Sequence, residues 1–345
     1  MAELALYRKY RPHSFKDVVG QEPVVKALQG ALKGENVAHA YLFFGSRGTG
    51  KTSVARIFAH EIGATDADIH EIDAASYTGV DNIRALREEA VVMPFESKRK
   101  VYIVDEVHML SKSAFNAFLK LLEEPPAHVV FILATTELEK VPDTIQSRTQ
   151  VFTFKKPTAK EIAEMSTRIA KSEGFTIDKA SAELIALLAE GSFRDAQSIL
   201  QKILSSSADK KVSIDEVVMV TGAPKIELVE RVITGLNKGD AADALQAIAE
   251  AAKANADMHV FAMLLIERLR AVLMLRYAPQ VGAEMIADLT DTDQTFLKEL
   301  AKDAGSKINS ETLRKLIVAG IETDRSPVPE LPLELAIMEL LQKVA

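Results

Sequence analysis

The stretch GSRGTGKT, residues 45–52, constrains the fold of this chain more than any other feature of its sequence. It matches the pattern G-x-x-x-x-G-K-[S/T] at every required position. An apolar run suited to a buried strand, 40–45, precedes it, and a helical pattern, 50–62, follows it. Such a strand–turn–helix directs loop N–H groups and a helix N-terminus at one point, which suits a phosphate. A glycine-rich turn that matches by chance is the alternative.

Each residue type in this loop has a chemical reason to be there. Glycine tolerates the backbone angles and the close approach that the loop requires. Lys51 is expected to reach the β- and γ-phosphates of ATP, and the Thr52 hydroxyl is expected to bind Mg²⁺. The residues predicted to bind nucleotide here are Gly45, Ser46, Arg47, Gly48, Thr49, Gly50, Lys51, Thr52 and Ser53.

A second acidic motif supplies the groups that the loop lacks. The apolar run in KVYIVDEVH ends in Asp105 and Glu106. Asp105 is predicted to hold the magnesium shell, and Glu106 to orient and deprotonate the attacking water. Two acids at a strand end are otherwise solvated loop charges, and this alternative stays open. His108 is interpreted as structural rather than catalytic.

The first part of the chain alternates strands and helices, which predicts an α/β domain with a parallel sheet, residues 1–157. Strands are predicted at 40–45, 68–73, 101–106, 129–136 and 150–154. Helices are predicted at 22–33, 50–62, 80–91, 111–124 and 142–146. Ser111 is the expected N-cap of the fourth of these helices.

The remainder of the chain is predicted to be helical, with no strand after residue 157. Residues 158–222 suggest a small domain of three helices, with Gly174 and Gly191 as C-caps of the first two. Residues 223–345 form an Ala- and Leu-rich helical domain. Three domains agree with a length of 345 residues, which exceeds one ordinary core.

Composition excludes several classes of site. The chain contains no cysteine, so disulfides, thiol catalysis and cysteine-bound zinc are excluded. Its net charge of −7 is not that of a general nucleic-acid binder, although a local DNA-facing patch remains compatible with it. No apolar run approaches the roughly 20 residues that span a bilayer, and the N-terminus lacks a secretory pattern. A cytoplasmic location is expected.

Several short motifs together resemble one family. In order along the chain they are YRKYRP, DVVGQE, the phosphate loop, DEVHMLS, LLEEPP, LATTE, IQSRT and GSFRDA. These are similar to the gamma/tau ATPase subunits of bacterial DNA polymerase III clamp loaders, within the AAA+ superfamily. The resemblance is strong from residue 4 to about residue 200. It implies a RecA-like AAA+ domain, a three-helix lid and a helical collar that assembles subunits into a ring.

The resemblance also implies roles for further residues. Thr136, or its neighbour Thr135, would sense the γ-phosphate, and Arg194 would reach from the lid to the nucleotide. On sequence alone Arg194 is an exposed arginine at a helix start. The residues implied to frame the adenine pocket are Arg11, Pro12, Val18 and Val19. An N-terminal arm that merely packs on the core is the alternative for these four.

Arg148 in DTIQSRTQVF has no structural reason to be at a strand entry. The other predicted groups would contact the phosphates, the metal, the attacking water and the lid. None of them supplies a cation that would stabilise charge on the transferred phosphoryl group. An arginine finger acting in trans, on the nucleotide of a neighbouring subunit, would supply one. An exposed loop arginine is the alternative.

The chain also departs from the family pattern. The four-cysteine zinc module is absent, so no zinc is expected. Arg84 is the nearest match to the family's basic DNA-facing residues, and Lys120 is a second candidate. Phosphate contact at Arg84 is expected to be weaker than in the family, or partly redistributed to Lys98, Arg99, Lys100 and Lys120. A solvated turn is the alternative for the run KRK, residues 98–100. We hypothesise that Met93 and Phe95 contact the sliding clamp. The alternative is that both side chains pack in the core.

The resulting prediction is an ATP-hydrolysing motor subunit that opens a ring-shaped sliding clamp and places it on primer-template DNA. Its expected partners are other loader subunits in a hetero-oligomeric ring, pentameric in the family, with the clamp and DNA. One alternative is a non-hydrolysing structural subunit of the same assembly. Another is a different AAA+ motor, such as a branch-migration helicase. The chain is expected to be a short form, or the core of a longer protein.

Overall fold

The computed structural model describes residues 4–207, 209–287, 289 and 291–341. The chain divides into two compact units. The first consists of Met1–Met165 with Ala189–Ser198, and the second, called the helical unit, of Ser166–Leu188 with Ile199–Ala345. The three predicted domains, 1–157, 158–222 and 223–345, remain predictions, and residues 342–345 of the last lie outside the described residues.

The first unit is built on a five-stranded parallel sheet. Its strands are β1 Ala40–Phe44, β2 Ile69–Asp73, β3 Lys100–Asp105, β4 Val129–Thr135 and β5 Gln150–Thr153. They lie in the order β2-β3-β4-β1-β5, and all four pairings are parallel. The five predicted strands and the α/β class are confirmed.

Helices cover both faces of this sheet. They are α1 Leu6–Lys9, α2 Glu22–Lys33, α3 Lys51–Glu61, α4 Val80–Val91, α5 Lys112–Glu123 and α6 Asp143–Gln146. Ser111 caps α5 as predicted, accepting a hydrogen bond from the backbone N–H of Ala114 at 3.2 Å. Successive residues of a strand point to opposite faces, so each buried strand contributes to two cores.

The core residues of β1 illustrate this division. Leu42 packs in the cluster that contains α4 and α5 side chains, whereas Tyr41 and Phe43 pack in the cluster that contains α2 and α3 side chains. All three are fully buried. Packing on both faces of the sheet therefore fixes the register of the central strands, since a shift of one residue would move each set of buried side chains to the opposite face.

The rest of the described chain is mainly helical. Helices α7 to α17 are Ala159–Ser172, Lys179–Leu188, Phe193–Ser206, Ile214–Thr221, Ile226–Lys238, Ala241–Lys253, Met258–Tyr277, Pro279–Ile286, Asp291–Lys302, Ser310–Thr323 and Leu331–Leu341. Gly174 and Gly191 follow α7 and α8 with positive φ angles, as expected for helix ends. Among the described residues, no helix is both long and apolar enough to cross a membrane.

The expectation that no strand follows residue 157 is wrong. Two short strands, β6 Thr176–Ile177 and β7 Lys211–Val212, form a separate parallel pair in the helical unit. Each strand is only two residues long, so neither contains an alternation from which a strand could be predicted.

An exposed apolar loop follows α4. Val92, Met93 and Phe95 expose 62, 69 and 83% of their surface. Asp68, only 1% exposed, anchors the loop from below. Its carboxylate accepts hydrogen bonds from the N–H groups of Phe95, Glu96 and Ser97 at 2.5–2.9 Å and from the Ser97 hydroxyl at 2.6 Å. The alternative of core packing for Met93 and Phe95 is therefore wrong, and their contact with the clamp stays a prediction.

Burial alone would raise the pKa of Asp68, but these hydrogen bonds outweigh it and hold the pKa far below its ordinary value. A carboxylate whose pKa is lowered in the folded state stabilises the fold above the unfolded pKa, about 3.9. That contribution is lost as the pH falls below this value toward the folded pKa.

We predict that Asp68→Asn lowers the free energy of unfolding by about 2 kcal/mol at pH 7, because an amide cannot accept all four bonds. The difference from wild type shrinks as the pH falls below about 4. Urea unfolding at several pH values measures both effects. Asp66→Asn, in the same turn and with a side chain 90% exposed, is the control and should change stability little. Equal stability of the two variants would contradict the prediction.

Candidate functional site

The glycine-rich loop between β1 and α3 wraps around one lysine. Lys51 is only 6% exposed, and its Nζ donates to the carbonyls of Gly45 at 2.7 Å and Ser46 at 2.9 Å. Burial lowers the pKa of Lys51, while the negative charges of Glu106 and Asp105 oppose that shift. The loop therefore holds an ammonium group beside two carboxylates at the N-terminus of α3.

The end of β3 places both acidic residues against this loop. The Thr52 hydroxyl donates to Asp105 Oδ2 at 2.9 Å. Asp105 Oδ1 accepts the backbone N–H of Glu106 at 3.0 Å, which fixes the orientation of the carboxylate. A hydroxyl and a carboxylate oxygen in contact form a hard-oxygen donor pair, which suits Mg²⁺. The predicted metal pair is thus brought together.

Glu106 has a left-handed backbone, with φ +49° and ψ +45°. Residues other than glycine reach this region at an energetic cost, and such strain is common at functional sites. Its carboxylate accepts a hydrogen bond from the Thr136 hydroxyl at 3.2 Å, and His108 Nδ1 lies 3.4 Å from the same oxygen. The Thr135 hydroxyl instead donates to the Glu137 carbonyl at 3.2 Å. Thr136 is therefore the threonine that contacts Glu106.

The segment before α9 contacts the phosphate loop. The N–H of Phe193 donates to the Gly48 carbonyl at 3.1 Å. Gly48 has φ +74°, and an added Cβ would clash with the side chain of Ser192. The position therefore requires glycine for both its backbone angle and its close neighbour. Arg194 follows at the start of α9, with its guanidinium 4.9 Å from the centre of the Tyr7 ring.

The N-terminal arm reaches the first turn of α3. Arg11 Nε donates to the Ser53 hydroxyl at 3.2 Å, and burial, together with nearby Arg56, lowers the pKa of Arg11. Pro12, Val18 and Val19 are half-buried, so they do not serve wholly as core. Their role around the adenine remains a prediction.

Sequence analysis missed Gln21, which ties this arm to the end of β5. Its side chain is 1% exposed and both donates to the Lys155 carbonyl at 2.8 Å and accepts from the Lys155 N–H at 3.0 Å. The glutamine stands within the DVVGQE motif, so its position was visible. Its partners were not, because they are backbone groups distant in sequence.

Arg148 is not part of this cluster and has partners of its own. Its guanidinium donates to Glu123 Oε1 at 2.9 Å and to the Thr144 carbonyl at 3.0 Å, with the Ser147 hydroxyl at 3.5 Å. Glu123 belongs to the LLEEPP motif at the end of α5. The Arg148 side chain remains 38% exposed, which leaves it accessible from outside.

The candidate DNA-facing residues fall into two groups. Arg84 and Lys120 are exposed, and Arg84 pairs with Asp81 at 3.1 Å. Lys98 is also exposed and Arg99 is half-buried. Lys100, in contrast, is 6% exposed and its Nζ donates to the Glu89 carbonyl at 3.0 Å. Including Lys100 among these candidates was wrong, because its ammonium is directed into the protein.

Within the described part of the chain, no group of three or more His, Asp or Glu residues is arranged to hold a metal. Thr52 and Asp105 fit Mg²⁺ as two of several oxygen ligands, since this ion commonly takes the others from phosphates and water. The expectation of no zinc still rests on the absence of cysteine from the sequence.

Comparison with known proteins places the chain among DNA polymerase III subunits. A family model described as DNA polymerase III, delta subunit, matches residues 63–158. The tau subunit of Bacillus subtilis is 38% identical over 99% of this chain and 64% of its own length. The gamma subunit of Buchnera aphidicola is 31% identical over 98% of both chains. The gamma/tau subunit of Mycobacterium tuberculosis is 36% identical over 98% of this chain and 62% of its own length.

The chain thus spans slightly less than two thirds of the Bacillus and Mycobacterium relatives. Among solved structures, the RuvB Holliday junction branch migration motor of Thermotoga maritima has a TM-score of 0.54 at 19% identity. That match covers 89% of this chain and 98% of the other. A second structure of this RuvB, a single-residue variant, has a TM-score of 0.53 at 24% identity over 66% of this chain and 79% of the other. These likenesses concern the fold alone.

Proposed function

The chain belongs to the gamma/tau family of DNA polymerase III subunits, and we propose that it is the ATP-hydrolysing motor subunit of a sliding-clamp loader. In this proposal it opens a ring-shaped clamp and helps to place it on primed DNA. ATP binding holds the assembled subunits in a DNA-gripping arrangement, and hydrolysis releases it. The cytoplasmic location expected from the sequence remains a prediction.

One observation carries the proposal of hydrolysis: Lys51, the Thr52–Asp105 pair and Glu106 meet at the carboxyl ends of parallel strands. Ligands of open α/β sheets bind at this edge. In the proposal, Lys51 turns its ammonium from the loop carbonyls to the β- and γ-phosphates when ATP binds. Glu106 accepts a proton from the attacking water in this proposal, which the hydrogen bond from Thr136 to its carboxylate supports.

Magnesium, when bound, offsets phosphate charge and orients the phosphoryl group. Thr52 and Asp105 would hold it, as their contact at 2.9 Å supports. Ser46, Arg47, Thr49, Gly50 and Ser53 line the loop and first helical turn that would surround the phosphates. Arg194 follows Phe193, which is bonded to the loop, and this supports its proposed role at the nucleotide.

Arg148 is proposed to complete a neighbouring site rather than its own. Its guanidinium is held by Glu123 and Thr144, away from the Lys51 cluster, and is partly exposed. An exposed ion pair of this kind contributes little, about 0–1 kcal/mol, so a phosphate can replace the carboxylate. The planar fork of arginine suits phosphate oxygens better than a lysine would.

Assembly with other loader subunits is supported by an apolar face of the helical unit. On α16 it comprises Ile317, Val318 and Ile321, and on α17 Leu335 and Met338, exposed by 41–58%. These residues recur at one- and three- to four-residue spacings, so they share a side of each helix. A pentameric ring is the proposed stoichiometry, with the clamp and primer-template DNA as further partners.

The alternatives have less support. A non-hydrolysing subunit tends to lack the loop lysine or the glutamate, and this chain has both Lys51 and Glu106. A branch-migration helicase predicts a C-terminal winged helix with strands. From residue 214 onward, the described part of the chain contains no strand. The RuvB likeness concerns fold and does not favour that function.

The direct test is ATP turnover by the complete assembly with and without clamp and primed DNA. We expect several-fold stimulation when both are present, because hydrolysis is the releasing step. An assembly carrying Lys51→Ala is the control and should show no stimulation. Absence of stimulation with all partner subunits would contradict the proposal, and unwinding of branched DNA would instead favour the helicase.

We predict that Arg148→Ala leaves ATP binding by the isolated chain unchanged and lowers turnover by the assembly about 10³-fold, the typical contribution of an arginine finger. Arg148→Lys should restore little, because it lacks the planar fork. Nucleotide titration and steady-state turnover measure the two effects. Arg231→Ala, which likewise removes a partly exposed arginine bound to carboxylates, is the matched control. Equal turnover of wild-type and Arg148→Ala assemblies would show that Arg148 is an ordinary surface residue.

We predict that Met93→Ala and Phe95→Ala together weaken clamp binding about tenfold or more, since exposed apolar anchors dominate many interfaces. Because Asp68 rather than these side chains anchors the loop, folding stability should change little. Clamp affinity is measured by surface-immobilised clamp binding, with Met219→Ala, exposed by 75%, as the control. Unchanged affinity would remove this loop from the clamp surface.

A further inference from the structure

His108 lies at the centre of a polar network beside the candidate catalytic glutamate. Its side chain is only 7% exposed. On one edge of the ring, Nδ1 lies 3.0 Å from the Thr135 hydroxyl and 3.4 Å from Glu106 Oε2. On the other edge, Nε2 lies 3.2 Å from Glu137 Oε1. The imidazole therefore stands between two carboxylates and contacts both.

Glu137 is itself held in place by an ion pair with Lys140. A hydrogen bond from Lys140 at 2.7 Å lowers the pKa of the Glu137 carboxyl. Carboxylates only accept hydrogen bonds, and the ring faces one at each nitrogen, so the contacts to Glu137 and Glu106 together require an N–H group at both Nε2 and Nδ1 of His108. The orientation of the His108 ring is thus set by Glu137 and the adjacent turn Leu138–Lys140, which lie outside the nucleotide site.

That turn also supports the segment that carries Arg148. Gln146 Nε2 donates to the Leu138 carbonyl at 3.2 Å and to the Val141 carbonyl at 2.8 Å. Gln146 ends α6, and Arg148 follows it closely in the chain. Continuous contacts therefore run from Glu106 through His108 and Glu137 to the base of α6.

We propose that His108 is a positioning residue for ATP hydrolysis, which holds the Glu106 carboxylate against Thr136 and links it, through Glu137, to the segment bearing Arg148. The inference rests on the proposed function and adds to it a residue that touches neither nucleotide nor metal. If so, the orientation of Glu106 in one nucleotide site depends on the turn Leu138–Lys140. The same turn supports the segment with Arg148, which is proposed to act on the nucleotide site of the neighbouring subunit.

The kinetic test uses the full chain in the complete assembly with clamp and primed DNA. His108→Leu should lower kcat about tenfold and leave the KM for ATP unchanged, since orientation of the base is lost while binding is not. His108→Asn retains a polar group near Nδ1 and should recover most of the loss. Glu137→Gln should lower kcat less than His108→Leu, and adding it to His108→Leu should cause no further loss.

Glu139→Gln is the matched control, since Glu139 lies in the same turn and is exposed. It should leave kcat unchanged. A purely structural role would instead lower the unfolding temperature of the Leu and Asn variants alike, with no separation of kcat from KM and no rescue by Asn. That outcome, or a wild-type kcat for His108→Leu, would overturn the proposal.

A spectroscopic test detects the contact between His108 and Glu106 without measuring ATP turnover. The chain has seven histidines, so selective ¹⁵N-histidine labelling of the full chain gives a spectrum that is simple enough to assign by substitution. Glu106→Gln and Glu137→Gln should each shift the ring resonances of His108, and Glu139→Gln should not. Unshifted resonances in Glu106→Gln would overturn the proposal. A wild-type assembly that does not hydrolyse ATP would contradict the proposed function instead, with the contact still measured.

Discussion

The hydrogen bond between Thr52 and Asp105 joins the first turn of α3 to the end of β3, 53 residues later in the chain. It forms because the strands are parallel, so that the carboxyl ends of β1, β3 and β4 lie along one edge of the sheet. The loop, the acidic pair and Thr136 come from these three ends. The two buried faces fix the strand register, and the register in turn sets where each of these groups stands.

The elements of this arrangement were predictable from sequence because each has a local signal. Strands β1, β3 and β4 are apolar runs, and the loop between β1 and α3 has a fixed residue pattern. The supporting contacts lack such signals. Gln21 bonds backbone groups at residue 155, and Asp68 bonds those at 95–97. Their geometry exists only once the sheet is folded. Lys100 likewise belongs to a charged triplet typical of a surface turn, yet β3 begins there and buries it.

Arg148 and Lys51 illustrate two ways of holding a cation. Lys51 is buried and bound to carbonyls of its own loop, so its place is set by the fold. Arg148 is partly exposed and bound to a carboxylate that is 49% exposed, so its place is set by a weak ion pair. An anionic phosphate competes well with such a carboxylate, and the guanidinium loses little by changing partner. The chain thus presents a cation that is defined in position but available to a second molecule.

Glu106 depends on more of the structure than Asp105 does. Asp105 is fixed by Thr52 and by the adjacent N–H, both beside the phosphate loop. Glu106 has a left-handed backbone that costs about 1–3 kcal/mol, and its side chain depends on Thr136 and His108 for its direction. A shift of the turn Leu138–Lys140 would therefore move the Glu106 carboxylate, through Glu137 and His108, while Lys51 and Thr52 stayed in place. In the proposed function, binding and hydrolysis then depend on different elements, which would allow a nucleotide to be held before it is cleaved.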